Sequence, residues 1–412
     1  MKALSSRRGP RWIAAGSAAL LATAGVTAAT VVAASPAQAA VMQVAPYVDM
    51  SNNQEPMLNA AATQAGLHNY TAAFVIGAGC TPIWGDTLPV TNDPSMDQVI
   101  ATARADGAGP IVSFGGSGGS EIALTCTTVS SLQAAYQSVI SHLGVNHIDF
   151  DIEGATLDYT ANNDVRFKAV NGLEAANPGL VVSVTLPVLP TGLAADGVAF
   201  LNLAKQDGTR IDLINVMAMD YGSSFTGDMG QEAIQAAQST LSQARADWPG
   251  DTYANIGVTP MIGQNDNSAE VFTEANAQNL VSWASSNGVG RLAFWSVDRD
   301  QPCSGSAAGL PSCSEISQQA LDFTRIFLGA GGNGGGGGGG GGTPSPSPSP
   351  TGGGGGGGGG GSCYTAWSAS TSYVPGDNVS YSGVNYTSLY WSTGVAPGSA
   401  IAWNIWKSDG SC

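Results

Sequence analysis

Between Met42 and Val297, eight short apolar runs alternate with stretches of helical periodicity, and this alternation restricts the fold more than any other feature of the 412-residue chain. The runs are Met42–Met50, Tyr70–Ala78, Pro110–Gly116, His147–Glu153, Leu180–Pro187, Ile211–Tyr221, Asn255–Ile262 and Arg291–Val297. Helical stretches fall at Ser95–Asp106, Val129–Leu143, Asn162–Asn177, Gln231–Asp247 and Glu274–Asn287, with a last one at Glu315–Leu328. Buried-type strands that alternate with helices pair in parallel, because a parallel neighbour is reached only through a crossover. Eight such units in about 290 residues predict an α/β fold of the closed (β/α)8 TIM-barrel type. The competing doubly wound open sheet carries a Gly-rich turn after its first strand, and Met50-Ser51-Asn52-Asn53 is not one.

The fourth run, Asn146-His147-Ile148-Asp149-Phe150-Asp151-Ile152-Glu153-Gly154, carries the chemistry. A strand alternates faces with period two, so Asp149, Asp151 and Glu153 share one face and Ile148, Phe150 and Ile152 the other. In a barrel the apolar set meets the helices and the acids point inward. Glu153 then sits at the C-terminal end of its strand, where barrel active sites lie. Three inward carboxylates cannot all stay ionised cheaply, so at least one keeps its proton near neutral pH, as a general acid must. The alternative of a solvated edge strand does not suit the interleaved Ile and Phe. Calcium binding lacks its loop geometry. Three scattered histidines, His68, His142 and His147, give no metal-site spacing. No metal or cofactor is expected.

These residues resemble glycoside hydrolase family 18, the chitinase family, whose signature is D-x-x-D-x-D-x-E on the fourth barrel strand. The last three acids match as Asp149, Asp151 and Glu153, while Asn146 stands at the first position and His147 where the family usually has Gly. The resemblance implies that Glu153 protonates the glycosidic oxygen. It implies that Asp151 orients the 2-acetamido group of the substrate and that Asp149 holds Asp151 and shares its proton. Ser113-Phe114-Gly115-Gly116 is similar to the family's S-x-G-G at the end of the third strand. Val216-Met217-Ala218-Met219-Asp220-Tyr221 stands where many members read M-x-Y-D. Met217, Asp220 and Tyr221 are therefore expected to bind substrate, Tyr221 supplying the hydroxyl that Met219 lacks. Trp295 fits the aromatic floor under the reacting sugar. Asn265, Asp266 and Trp84 are further candidates for the cleft. About 28 residues separate the last two strands, too few for the deep-walling insertion of some members, so an open groove and internal cleavage are expected.

The ends of the chain read differently. Lys2, Arg7, Arg8 and Arg11 precede an apolar stretch that ends in Ala37-Gln38-Ala39, the pattern of a secretory signal peptide over 1–39 rather than of a membrane anchor. The catalytic domain is expected over 40–329. A Gly/Pro/Ser linker follows over 330–362, glycine runs around a Pro-Ser core. Cys363–Cys412 holds four of the nine tryptophans and five of the eleven tyrosines. It resembles carbohydrate-binding module family 5/12 through Ala366-Trp367, Tyr373, Gly376-Asp377, Val379, Gly383, Tyr386, Tyr390-Trp391-Ser392, Pro397-Gly398 and Trp403. There Tyr390 and Trp391 are the expected sugar contacts, with Trp367 or Trp406 as further candidates, whereas Tyr373, Tyr386 and Trp403 are expected in the core.

Six cysteines in an exported chain favour disulfides. Of fifteen possible pairings, Cys80–Cys126, Cys303–Cys313 and Cys363–Cys412 is the simplest. A net charge of −16 excludes the basic footprint of a nucleic-acid binder, and no other stretch is long enough to span a bilayer. The expected protein is a secreted, extracellular, monomeric, endo-acting chitinase whose partners are chitin and N-acetylglucosamine oligomers. An endo-β-N-acetylglucosaminidase acting on N-glycans, or a chitin-binding protein without catalysis, are the alternatives.

Overall fold

The structure, a computed structural model, describes residues 42–51, 55–85, 88–303, 312–329, 363–368, 372–373, 377–388, 392–393, 396–397 and 406–412. The signal segment, the linker and the residues Tyr390, Trp391 and Trp403 lie outside them. Among the described residues no helix is long and apolar enough to cross a membrane.

Eight parallel strands form one sheet. They are β1 (Gln43–Val44 and Tyr47–Asp49), β2 (Asn69–Ala78), β3 (Gly109–Gly115), β4 (His147–Asp151), β5 (Val181–Pro187), β6 (Leu213–Met217), β7 (Ile256–Thr259) and β8 (Arg291–Leu292). The sheet closes through β1. Its first piece pairs with β8, Gln43 against Arg291, and its second with β2, Tyr47 against Thr71. Pro46 interrupts the ladder because it has no N–H to donate. The backbone is continuous across the gap: Ala45 and Tyr47 donate to the carbonyls of Leu292 and Phe294, and the Pro46 carbonyl accepts from Thr71. The expected barrel is therefore closed, and the open sheet is excluded.

The outer faces of the strands pack as their alternation requires. Phe150 of β4 and Phe114 of β3 stack 5.6 Å apart, and both meet the ring of Tyr136 on the helix Val129–Leu143. That helix and Glu274–Asn287 lie where their periodicity places them, each ended by a left-handed glycine, Gly144 and Gly288. One helical expectation needs correction. Glu315–Leu328 is helical only over Asp322–Phe327, because Leu321 turns left-handed at φ 67° and the buried Asp300 caps the helix there. Its carboxylate accepts from the backbone N–H groups of Phe323 and Thr324. A further helix, Ala195–Gln206, has Gly197 in its first turn, where the backbone lies against Leu193.

All three disulfides pair as expected. Within 363–412, Asn378–Tyr381, Val384–Ser388 and Trp406–Ser411 form an antiparallel sheet. Tyr373, Val379 and Trp406 make its small core, with Trp367 and Tyr386 packed against it. Trp406 is thus a core residue and not an open sugar contact.

Register fixes one glycine. Gly115 lies opposite Asp151 with φ 111°, and a Cβ there would stand 2.0 Å from the Asp151 carbonyl oxygen. Gly115→Ala is expected to lower the melting temperature by on the order of 5 °C or more. Gly109→Ala in the same strand meets nothing within 4 Å and should leave it nearly unchanged. Thermal melts of the two variants check this, and equal melting temperatures would contradict it.

Candidate active site

The site rises in layers inside the barrel. Asp149 lies level with Ser113 of β3 and Ser183 of β5, and Asp151 one layer higher, level with Gly115 and Thr185. Barrel interiors are usually filled by branched apolar side chains. Here the layer around Asp149 is polar. The carboxylate has no exposed surface and accepts from Tyr47 Oη at 3.2 Å, Ser113 Oγ at 2.9 Å and Thr185 Oγ1 at 2.9 Å. Ser183 Oγ donates a further bond, and Arg291 Nη1 stands 3.6 Å away. Asn215 of β6 donates to Thr185, and Thr259 of β7 to Asn215, so the network continues around the barrel.

Asp151 is buried above Asp149. Burial holds its carboxyl well above the usual carboxylate range, and the neighbouring Glu153 and Asp149 push it further the same way. Glu153 lies two residues past Asp151, just beyond the end of the strand, in extended backbone, and is half-buried. Burial pushes it up to about 7; its interaction with Asp151 works against this and the charge of Asp266 adds to it. Two neighbouring carboxyls thus hold a proton near neutral pH at the C-terminal mouth of the barrel. That is the equipment of a general acid.

Two glycines after β3 admit the neighbours of this pair. Gly116 donates its N–H to the Asp151 carbonyl, and a Cβ on it would strike the Phe74 ring at 2.6 Å. Phe74 stacks on Trp295 with centroids 5.7 Å apart, and Tyr47 tilts against both. Phe74 and Trp295 are half-buried and form an aromatic wall at the strand ends. The peptide bonds Ala73–Phe74 and Trp295–Ser296 are cis.

The exit from β6 departs from the period-two reading. The strand ends at Met217, half-buried between Pro187 and Thr259. Asp220 turns left-handed at φ 51° and is buried, its carboxylate accepting from Asn267 N at 2.9 Å. Burial first, then Asp266, hold that carboxyl high. Tyr221 is 2% exposed, its ring against Phe225 and its hydroxyl buried. Tyr221 is therefore a wall residue in this conformation and not an open sugar contact. Asn265 is buried too and ties the Met261 and Gly263 carbonyls to the Asp220 backbone. Only Asp266 reaches the acids, through its charge on Glu153 and Asp220. Trp84 is buried at 1% exposure in the strand Thr81–Trp84 and is no sugar platform.

The sequence reading brought Asp149, Asp151 and Glu153 together, and the structure keeps them so. It missed Tyr47, Phe74, Ser183, Thr185 and Arg291. Their only signal was a polar or aromatic side chain on the inward phase of a strand. Among the described residues no group of acids, histidines or cysteines is arranged to hold a metal ion.

No family model matches the chain. It is 31% identical over 277 residues to the probable bifunctional chitinase/lysozyme of Escherichia coli, covering 63% of this chain and 31% of that protein. It is 31% identical over 274 residues to endochitinase 11 of Metarhizium anisopliae, covering 63% and 52%. The chain thus spans about a third to a half of the length of these curated relatives. Among solved structures, the catalytic domain of the hyperthermophilic chitinase from Pyrococcus furiosus is 30% identical. It superposes with a TM-score of 0.63 over 70% of this chain and 94% of that domain. Since that domain is matched almost end to end, and the acids stand on the fourth strand of a closed barrel, this chain belongs to the chitinases of glycoside hydrolase family 18.

Proposed function

We propose that the protein is a secreted, monomeric, endo-acting chitinase. It hydrolyses β-1,4 linkages between N-acetylglucosamine units with retention, by substrate-assisted catalysis. One observation carries the mechanism: Asp151 ends β4 and Glu153 follows two residues on in extended backbone, so the two carboxyls are successive groups on one strand face. Inverting glycosidases hold their carboxyls ~6.5–9.5 Å apart and two-carboxylate retaining enzymes ~5–5.5 Å, one on each side of the sugar. Two carboxyls on one strand face lie on the same side of the ring and cannot flank it, so the nucleophile is assigned to the substrate. Glu153 gives its proton to the glycosidic oxygen as the C1–O bond breaks. The acetamide oxygen of the same sugar bonds to C1, and Asp151 accepts from the acetamide N–H as positive charge develops. Water then attacks C1 and returns its proton to Glu153, which restores the acetamide. Trp295 and Phe74 supply the apolar face under the sugar.

The segment 1–39 serves export, and 330–362 tethers a chitin-binding module over 363–412. The three disulfides support an oxidising destination. The tether keeps the barrel near an insoluble surface, which raises its effective concentration there.

Glu153→Gln is expected to lower turnover of soluble N-acetylglucosamine oligomers by at least ~10²-fold, the usual worth of a general acid. Adsorption to chitin should be unchanged. Near-normal turnover by this variant, or release of glycans from glycoproteins with no oligomer cleavage by the unaltered chain, would overturn the assignment.

A carboxyl raised to about 7 is protonated below that pH and lost above it. The rate on soluble oligomers should therefore fall as pH rises through about 7. A rate–pH profile flat to the alkaline side would contradict it.

Removing everything after Gly329 should cut attack on insoluble chitin roughly ten-fold by loss of effective concentration, with little change on soluble oligomers. Equal losses on both substrates would count against the tether.

A further inference from the structure

The proposed mechanism uses the upper part of the acid column and leaves its base unexplained. Beneath Asp149 lies Arg291, the first residue of β8, without exposed surface. Its Nη1 is 3.6 Å from Asp149 Oδ1. Its Nη2 donates to His147 Nε2 at 2.5 Å and to Ser183 Oγ at 3.2 Å. Nε and Nη1 find no hydrogen-bond partner among the described residues. A guanidinium in such a place loses its hydration at high cost unless a charge answers it. The groups that face it are Asp149 and His147 from β4, Ser183 from β5 and Tyr47 from β1. Among these the carboxylate of Asp149 is the one that carries an opposite charge.

His147 stands where family members usually have glycine. Burial and the nearby Arg291 push its imidazole well below its usual range, so the ring is neutral and accepts from the guanidinium. It lines a cavity of about 1040 Å³ at the N-terminal ends of the strands, with Asn146, Asn69 and Arg104. That mouth is opposite the one where Glu153 stands, so neither residue meets the sugar.

We propose that Arg291 is a positioning residue for the reaction: seated on His147, it is the counter-charge that fixes Asp149 beneath Asp151. The inference rests on the chitinase reading. Loss of a neighbouring positive charge raises every macroscopic pKa of a coupled acid cluster, whichever carboxyl holds the proton. Arg291→Gln should therefore move both limbs of the kcat/KM profile on soluble oligomers to higher pH, by about one unit. It should lower kcat while KM stays within about two-fold, since the residue does not touch substrate. Arg291→Lys should return the limbs toward their original place. Limbs that stay fixed in a folded Arg291→Gln would overturn the proposal.

Should Arg291→Gln fail to fold, a paired substitution decides. Arg291→Gln with Asp149→Asn removes both charges and is expected to fold, as read from its thermal melt. Failure of both variants would make Arg291 a packing residue and overturn the proposal. Turnover by the unaltered chain tests the chitinase reading separately, and the melts read the pairing without any turnover.

Discussion

The rest of the site depends on the bonding of Asp149 inside the barrel. A carboxylate out of water is tolerated only when donors surround it. Its donors come from separate strands: Tyr47 from β1, Ser113 from β3, Ser183 and Thr185 from β5. Tyr47 reaches Asp149 only because β1 joins β8 to β2 and closes the sheet. Closure and site are therefore one event. With Asp149 fixed, Asp151 above it has a negative neighbour below and a second acid beside it. Burial and those two charges hold Asp151 high, while burial and the charge of Asp266 raise Glu153.

The acids themselves were legible in the sequence because a strand has a strict period. Ile148, Phe150 and Ile152 mark the outer face, so Asp149, Asp151 and Glu153 fall inward without further information. Their partners were not legible. Tyr47 and Asp149 are 102 positions apart, and nothing local marks a Ser or Thr on the inward phase as a ligand of that carboxylate. The exit of β6 misled for a related reason. Period-two reasoning continues past Met217, but the strand stops there and Asp220 turns left-handed. Tyr221 therefore lies buried in the wall against Phe225. Asn265, polar and in a loop, proved to be a backbone tie. Trp84 proved to be core.

The glycines of Ser113-Phe114-Gly115-Gly116 show how a weak pattern gains meaning from its surroundings. Any tight turn favours glycine, so the sequence alone attaches no chemistry to them. In the barrel, Gly115 lets the Asp151 carbonyl approach and Gly116 lets the Phe74 ring lie against the backbone. The same four residues thus set the position of an acid and of the aromatic wall opposite it. Between β7 and β8 the chain adds a short hairpin, Gly263–Gln264 with Val271–Phe272, and the helix Glu274–Asn287. Neither is large enough to wall a deep cleft.

The central claim is that two successive carboxyls on one strand face leave the nucleophile to the substrate. The most direct test is to follow the anomer of the first product by proton NMR during hydrolysis of a soluble N-acetylglucosamine oligomer. The account requires the β-anomer first, with the α-anomer growing only by mutarotation. First appearance of the α-anomer would mean inversion by a water held across the ring, and would contradict the account.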